Sequence, residues 1–126
     1  MRLVLLWAPV VAYMAALFYT SSLSAVPGPV GVWFTDTVLH MAGYAGLALV
    51  CLRALAGGTW ARVATPVLVG AWLMATLYGA TDEWHQSFVP GRTAEVRDLV
   101  NDGLGAFAAV GVAGAWGIMR GRSRAV

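Results

Sequence analysis

The chain predicts an all-α, polytopic membrane protein: four transmembrane helices in a small bundle, with both termini in the cytoplasm. Three observations carry that expectation. Hydrophobic residues fill 60% of the 126 positions and charged residues only 11%, where a soluble globular domain has roughly 25% charged. The apolar residues form four blocks, 3–19, 38–56, 63–80 and 99–119, each near the roughly 20 residues a helix needs to cross about 30 Å of hydrocarbon. Third, the basic residues gather at the ends of these blocks. Four buried helices of a soluble bundle would need polar faces toward water, and the segments around Leu5, Leu49 and Leu68 offer almost none. The helices are expected over about 3–20, 38–56, 63–86 and 98–119, within one domain spanning 1–126.

The first block follows Arg2 and precedes "SSLSAV". Its apolar core of about 17 residues exceeds the usual 7–15 of a signal peptide, and Ser22-x-Ser24 is a mediocre cleavage site, so a retained helix is expected. The link over 21–37 has no basic residue; Pro27 and Pro29 around Gly28 make a turn, and "GVWF" (31–34) reads as an interfacial aromatic anchor. The second block contains Cys51, the only cysteine, which reads as a small apolar filler and can form no intrachain disulfide. Arg53 stands near its end and is expected to snorkel from it, and Arg62 follows. The third block runs into "TDEWHQ", and Pro90-Gly91 then predicts a tight turn with positive φ at Gly91. That turn folds "QSFVPGR" back over the helix ends as a short re-entrant segment. The fourth block is followed by a tail with Arg120, Arg122 and Arg124.

All eight basic residues are arginine, and a net charge of +2 placed at helix ends suggests topology, with no nucleic-acid surface. The amino end, the 53–62 connection and the carboxyl tail hold the positive charge that stays in the cytoplasm. The other two connections therefore face outward, and they carry the polar residues.

Five of the six acidic residues lie between Gly79 and Ala106. On the second helix Asp36, His40 and Tyr44 recur at spacing four and share a face, with Gly43 and Gly46 beside it for close helix approach. On the third, Tyr78, Asp82, His85 and Gln86 share a face with Glu83 beside them. On the fourth, Asp98, Asn101 and Asp102 stand at i, i+3, i+4, and Gly105 and Ala109 continue the stripe. Simpler roles exist for several of these: Asp98 as a helix N-cap, His40 as an interhelical hydrogen-bond partner, Trp84 and Phe88 as interfacial anchors, Arg97 solvating the interface. The adjacent carboxylates of Asp82 and Glu83 are harder to explain blandly, since each costs about 2.5–3.5 kcal/mol at a membrane-helix centre and less near its ends. Arg92 is their obvious cation. It pairs with Asp82, Glu83 or Asp98, or it meets an anionic ligand; spacing alone does not choose.

The stretch "TDEWHQSFVPGRTAEVRDLVNDGLGA" resembles the signature of VanZ-like membrane proteins. The resemblance rests on Asp82 and Glu83 with Gln86, then Phe88, Pro90 and Arg92, then Asp98 and Asn101 with a following glycine. Upstream, "SSLSAVPG" followed by "DTVLHMAGYAGLAL" is similar to the family's other shared region, except that Thr37 stands where a lysine is usual. The resemblance covers about Tyr19 to Gly105. It implies four transmembrane helices, a bacterial cytoplasmic-membrane location and a polar cluster of Asp36, His40, Asp82, Glu83, Gln86, Arg92, Asp98 and Asn101. The family takes its name from a member linked to low-level resistance to teicoplanin, a lipid-tailed glycopeptide.

Two functions of different kind follow. One is recognition of an amphiphile, an envelope lipid or lipoglycopeptide, by a ligand set of Asp36, His40, Tyr44, Asp82, Glu83, Gln86, Arg92, Asp98 and Asn101. The alternative is an intramembrane hydrolase or transferase. There Asp82 or Glu83 is the base, His40 or His85 the acid, and Arg92 the group facing a phosphate or oxyanion. A divalent metal on His40, His85, Glu83 and Asp98 is conceivable, yet the spacing matches no established ligand motif, so no metal or cofactor is expected. A purely structural role gives little return, because polar pairs between membrane helices contribute only about 0.6 kcal/mol each on average. The bilayer is the expected partner, and glycines at 103, 105, 111, 114 and 117 permit a homo-oligomer.

Overall fold

The computed structural model describes residues 1–24, 35–59 and 63–122, with side chains described through residue 117. They form four helices: α1 (Arg2–Ser21), α2 (Asp36–Leu55), α3 (Thr65–Gln86) and α4 (Val96–Arg122). No strand occurs among the described residues. The "GVWF" anchor, the prolines of the first link, Arg62 and Arg124 lie outside them.

Helices α2 and α4 start two residues earlier than hydropathy predicts, because polar residues lie in their first turns. Thr35 is extended and its hydroxyl accepts from Val38 N at 3.4 Å, so α2 starts at Asp36 instead of 38. The fourth helix begins at Val96, which puts Asp98 in its first turn; the N-cap role expected for Asp98 is therefore incorrect. Conversely, α3 starts two residues late. Ala64 is extended, and Pro66 takes the first turn, where its missing N–H costs nothing.

The helices run up and down in order. Arg2 Nη2 donates to Gly57 O and Arg53 Nη1 to Leu5 O, each at 3.3 Å, joining the start of α1 to the end of α2. At the other end Ser22 meets His85, so α1 and α3 are parallel. Met41 lies beside Gly105 and His40 beside Asp102, so α2 and α4 are parallel as well. Both α2 and α3 pack on all three other helices. In consequence the end of α1, the start of α2, the end of α3 and the start of α4 meet at one end of the bundle.

Side chains are sorted opposite to a soluble protein. Large apolar groups such as Leu5, Val11, Leu77, Phe107 and Val112 face outward. The interior holds small residues (Ala48, Ala71, Ala75, Ala106) together with Asp82, Glu83, Gln86, Asp98, Asn101 and Asp102. Water would strand that exterior; hydrocarbon solvates it. The helices Arg2–Ser21 and Asp36–Leu55 and the segment Val96–Gly117 are each long and apolar enough to cross a membrane. The 22-residue α3 is as long but less apolar, because its last turn and a half carries the buried polar run that its neighbours cover.

Candidate functional site

At the polar end, α2 supplies Asp36, His40 and Tyr44 on one face, as helical spacing requires. His40 is the hub. Its Nδ1 lies 2.9 Å from Asp102 Oδ1, and its Nε2 lies 3.8 Å from Asp98 Oδ2 and 3.9 Å from Asp36 Oδ2. An ionised carboxylate only accepts, so the Nδ1 proton belongs to the Asp102 bond. Asp102 is wholly buried, Asp98 nearly so, and Asp36 half-exposed at the rim.

The polar end of α3 splits between neighbours. Gln86 Nε2 donates to Asp82 Oδ2 at 3.2 Å and reaches Glu83 Oε1 at 3.5 Å. Glu83 Oε2 accepts from Glu95 N at 2.9 Å, which ties the end of α3 to the entry of α4. Tyr78 and His85 do not join this cluster, contrary to the shared face expected from spacing. Tyr78 Oη donates to Met14 O at 2.8 Å; His85 hydrogen-bonds Ser22 Oγ at 3.0 Å and stacks on Phe18 at 4.1 Å. The metal set of His40, His85, Glu83 and Asp98 is thus not assembled. Packing against α1 captures the two residues that complete the stripe.

Arg92 departs from expectation too. The Pro90-Gly91 turn forms as predicted, with Gly91 at φ 82° and Arg92 N donating to Val89 O at 3.1 Å, as in a type II turn. The turn carries Arg92 over the end of α1, where Nε donates to Leu23 O at 2.8 Å and Nη2 to Thr20 O at 3.4 Å. The guanidinium therefore caps carbonyls at the end of α1, and pairs with no carboxylate among the described residues. Arg97 is largely exposed, 3.2 Å from Glu95 and 3.7 Å from Asp98. Trp84 and Phe88 are exposed and meet edge to face at 5.5 Å, as interfacial anchors would.

Between α1, α2 and α3 lies a cavity of about 70 Å³. Asp36, His40, Tyr44, Asp82, Gln86 and Arg92 line it, with Leu17 and Leu39 as apolar wall. Glu83, Asp98 and Asn101 stand outside that lining, on the α4 side. So the nine ligand candidates divide into a cavity group and an α4 group that meet at His40. The residue that sequence reasoning left out of its ligand set is Asp102. Its place one turn beyond Asp98 was visible, but not that its carboxylate would be the nearest partner of His40.

Asp98 Oδ1, Asn101 Nδ2 and Asp102 Oδ2 are buried and make no hydrogen bond, while the buried Tyr44 hydroxyl and Asp82 carboxylate lie close enough to share one. Each such atom costs about 1–3 kcal/mol to desolvate. Three in one cluster make a poor structural lock and a good receiver for a proton, a cation or a ligand's polar group.

An all-helical bundle that faces lipid with its large apolar side chains and gathers polar groups at one internal end is a multi-pass membrane protein. A model of the VanZ/LLP1 family matches residues 4–117, and the chain belongs to that family. No curated protein and no solved structure matches it.

Proposed function

We propose that this VanZ-like protein of the bacterial cytoplasmic membrane receives the polar terminus of an amphiphile, an envelope lipid or a lipid-tailed glycopeptide of the teicoplanin type. The supporting observation is the build of the cavity: Leu17 and Leu39 on one side, Asp36, His40, Asp82, Gln86 and Arg92 on the other, at the level of the helix ends. A tail lying along the outer helix surfaces and a head in this cavity match the two halves of an amphiphile. The volume limits what enters. A cavity of about 150 Å³ holds benzene, so one of about 70 Å³ takes a terminal hydroxyl, amine or amide and not a sugar ring. With donors and acceptors both on the wall, a group that donates and accepts fits best.

The site faces outward in this reading. Arg2 and Arg53 sit at the opposite end of the bundle, where positive charge is retained in the cytoplasm. Native mass spectrometry of detergent-extracted protein tests the proposal. The native chain retains a lipid, and Asp82→Asn and Arg92→Ala release it. Expression of the same variants in a teicoplanin-sensitive bacterium is expected to abolish any shift in susceptibility that the native chain confers. Equal lipid retention and equal susceptibility across all three proteins would sink the reading.

One observation favours the second reading, an intramembrane enzyme. Asp102 orients His40 as a carboxylate orients a catalytic imidazole, leaving Nε2, which faces Asp36 at the cavity wall, to exchange a proton with a water or hydroxyl. Incubation of purified protein with envelope lipid extract decides it: a product that forms with the native chain and not with His40→Gln supports turnover, and its absence removes the enzyme reading.

A further inference from the structure

We infer that Asp36, His40 and Asp98 form a binding site for one divalent transition-metal ion, with Asp102 as the residue that orients His40. The site shares Asp36 and His40 with the cavity but does not depend on what the cavity takes.

One oxygen from each of Asp36 and Asp98 and Nε2 of His40 all lie within 4.8 Å of one another. The two nitrogen–oxygen separations, 3.8 and 3.9 Å, are too long for hydrogen bonds. They are close to what a shared ion needs: donors each about 2.1 Å from a tetrahedral centre stand about 3.4 Å apart. The nitrogen–oxygen pairs close around an ion of that size with a movement of about half an ångström, and the oxygen–oxygen pair, within 4.8 Å, with at most about 1.4 Å. Asp36 and His40 come from one face of α2 at i, i+4, and Asp98 comes from the first turn of α4.

The imidazole is already held as a ligand would be. Metal-bound histidines donate their other ring N–H to a carboxylate or carbonyl, which sets the tautomer and turns the lone pair to the ion. Here Asp102 Oδ1 lies 2.9 Å from Nδ1, which leaves Nε2 facing two carboxylate oxygens. Two carboxylates converging on one ring nitrogen call for a positive charge between them, and a ring proton or a metal ion in its place supplies it. A second grouping, His40 with Glu83 and Asp102, is less suited, because its closest pair is already joined by that hydrogen bond.

An independent observation comes from Asp98. Its side chain is 5% exposed, yet its Oδ1 accepts no hydrogen bond, and the nearest cation is Arg97 Nε at 3.7 Å. Arg97 is itself largely exposed and is closer to Glu95. That buried carboxylate, with Oδ2 toward His40 Nε2 and Oδ1 unbonded, is poised for a cation. One imidazole and two carboxylates suit Zn²⁺ or Mn²⁺ better than thiophilic Cu⁺ or all-oxygen Ca²⁺. Because Asp36 and His40 also line the cavity, a further coordination position opens toward it.

The test uses the full chain in detergent, stripped with chelator and then titrated with Zn²⁺, Mn²⁺ and Co²⁺. Bound metal is measured by elemental analysis and, for Co²⁺, by its visible absorption. The expected result is one ion per chain for Zn²⁺ or Mn²⁺, lost in Asp98→Asn and Asp36→Asn and kept in Arg97→Ala. Asp102→Asn should weaken binding by about 10–100-fold, the usual effect of removing an orienting partner. Asp36 is half-exposed, so Asp36→Asn keeps the test decisive should the buried variants fail to fold. Substoichiometric binding, or binding unchanged in Asp36→Asn, overturns the site. Lipid retention measured on the same samples separates this outcome from failure of the amphiphile reading.

Discussion

Glu83 does two jobs with one carboxylate: it sits beside Gln86 on its own helix and accepts the Glu95 backbone N–H across the turn. Neutralising it weakens a charge-assisted bond worth about 1.5–3 kcal/mol. Glu83→Gln is therefore expected to lower thermal stability in detergent by that order, and Glu83→Ala by more, since the Glu95 N–H then loses its acceptor. Thermal unfolding followed by circular dichroism checks this. Unchanged stability with lost lipid retention would instead mark Glu83 as a ligand contact. At this scale the sequence was half legible. Asp82, Glu83 and Gln86 share a turn, so their proximity follows from helical geometry alone. The partner of Arg92 does not, because it depends on where the Pro90-Gly91 turn lands on α1, and that is a packing outcome.

At the level of helices, the contact between α2 and α4 sets the site, since it brings His40 to Asp98 and Asp102. The contact is close because Gly105 lacks a Cβ; a methyl there would overlap the Met41 carbonyl, which is backbone and cannot rotate away. Gly105→Ala is expected to destabilise by at least the ~1–3 kcal/mol typical of overpacking and to abolish metal binding by separating the donors. Gly111 on the same helix has nothing within 4 Å of where its Cβ would stand. Gly111→Ala should leave stability and binding unchanged or slightly improved, given the ~1 kcal/mol helical preference for alanine. If the two variants unfold alike, the close approach is not what positions the site. Small residues along these helices were visible in the sequence. Which one meets backbone, and which faces open space, was not, since that depends on helix rotation.

For the molecule as a whole, the two ends of the bundle differ in chemistry, and orientation converts that difference into function. In a Cys51→Ser background, Arg97→Cys at the polar end is expected to react with a membrane-impermeant thiol reagent on intact cells. Arg53→Cys at the opposite end should react only after permeabilisation. The reverse pattern would put the cavity on the cytoplasmic side and remove the access proposed for an external amphiphile. The sequence by itself determined the all-helical class, the number of helices, the segregation of polar groups to one end and the family. These properties follow from composition and from which residues neighbour one another along the chain, so they are read without knowing how helices face each other. Only the tertiary structure decided that His85 leaves the cluster for Ser22 and Phe18, that Arg92 caps α1, and that Asp102 is the closest partner of His40. The physical reason is angular: each residue turns the helix by about 100°, so a side chain's partner depends on the rotation and register of each packed pair. That rotation is set by small-residue contacts such as Gly105 on Met41, which a single chain's periodicity does not encode.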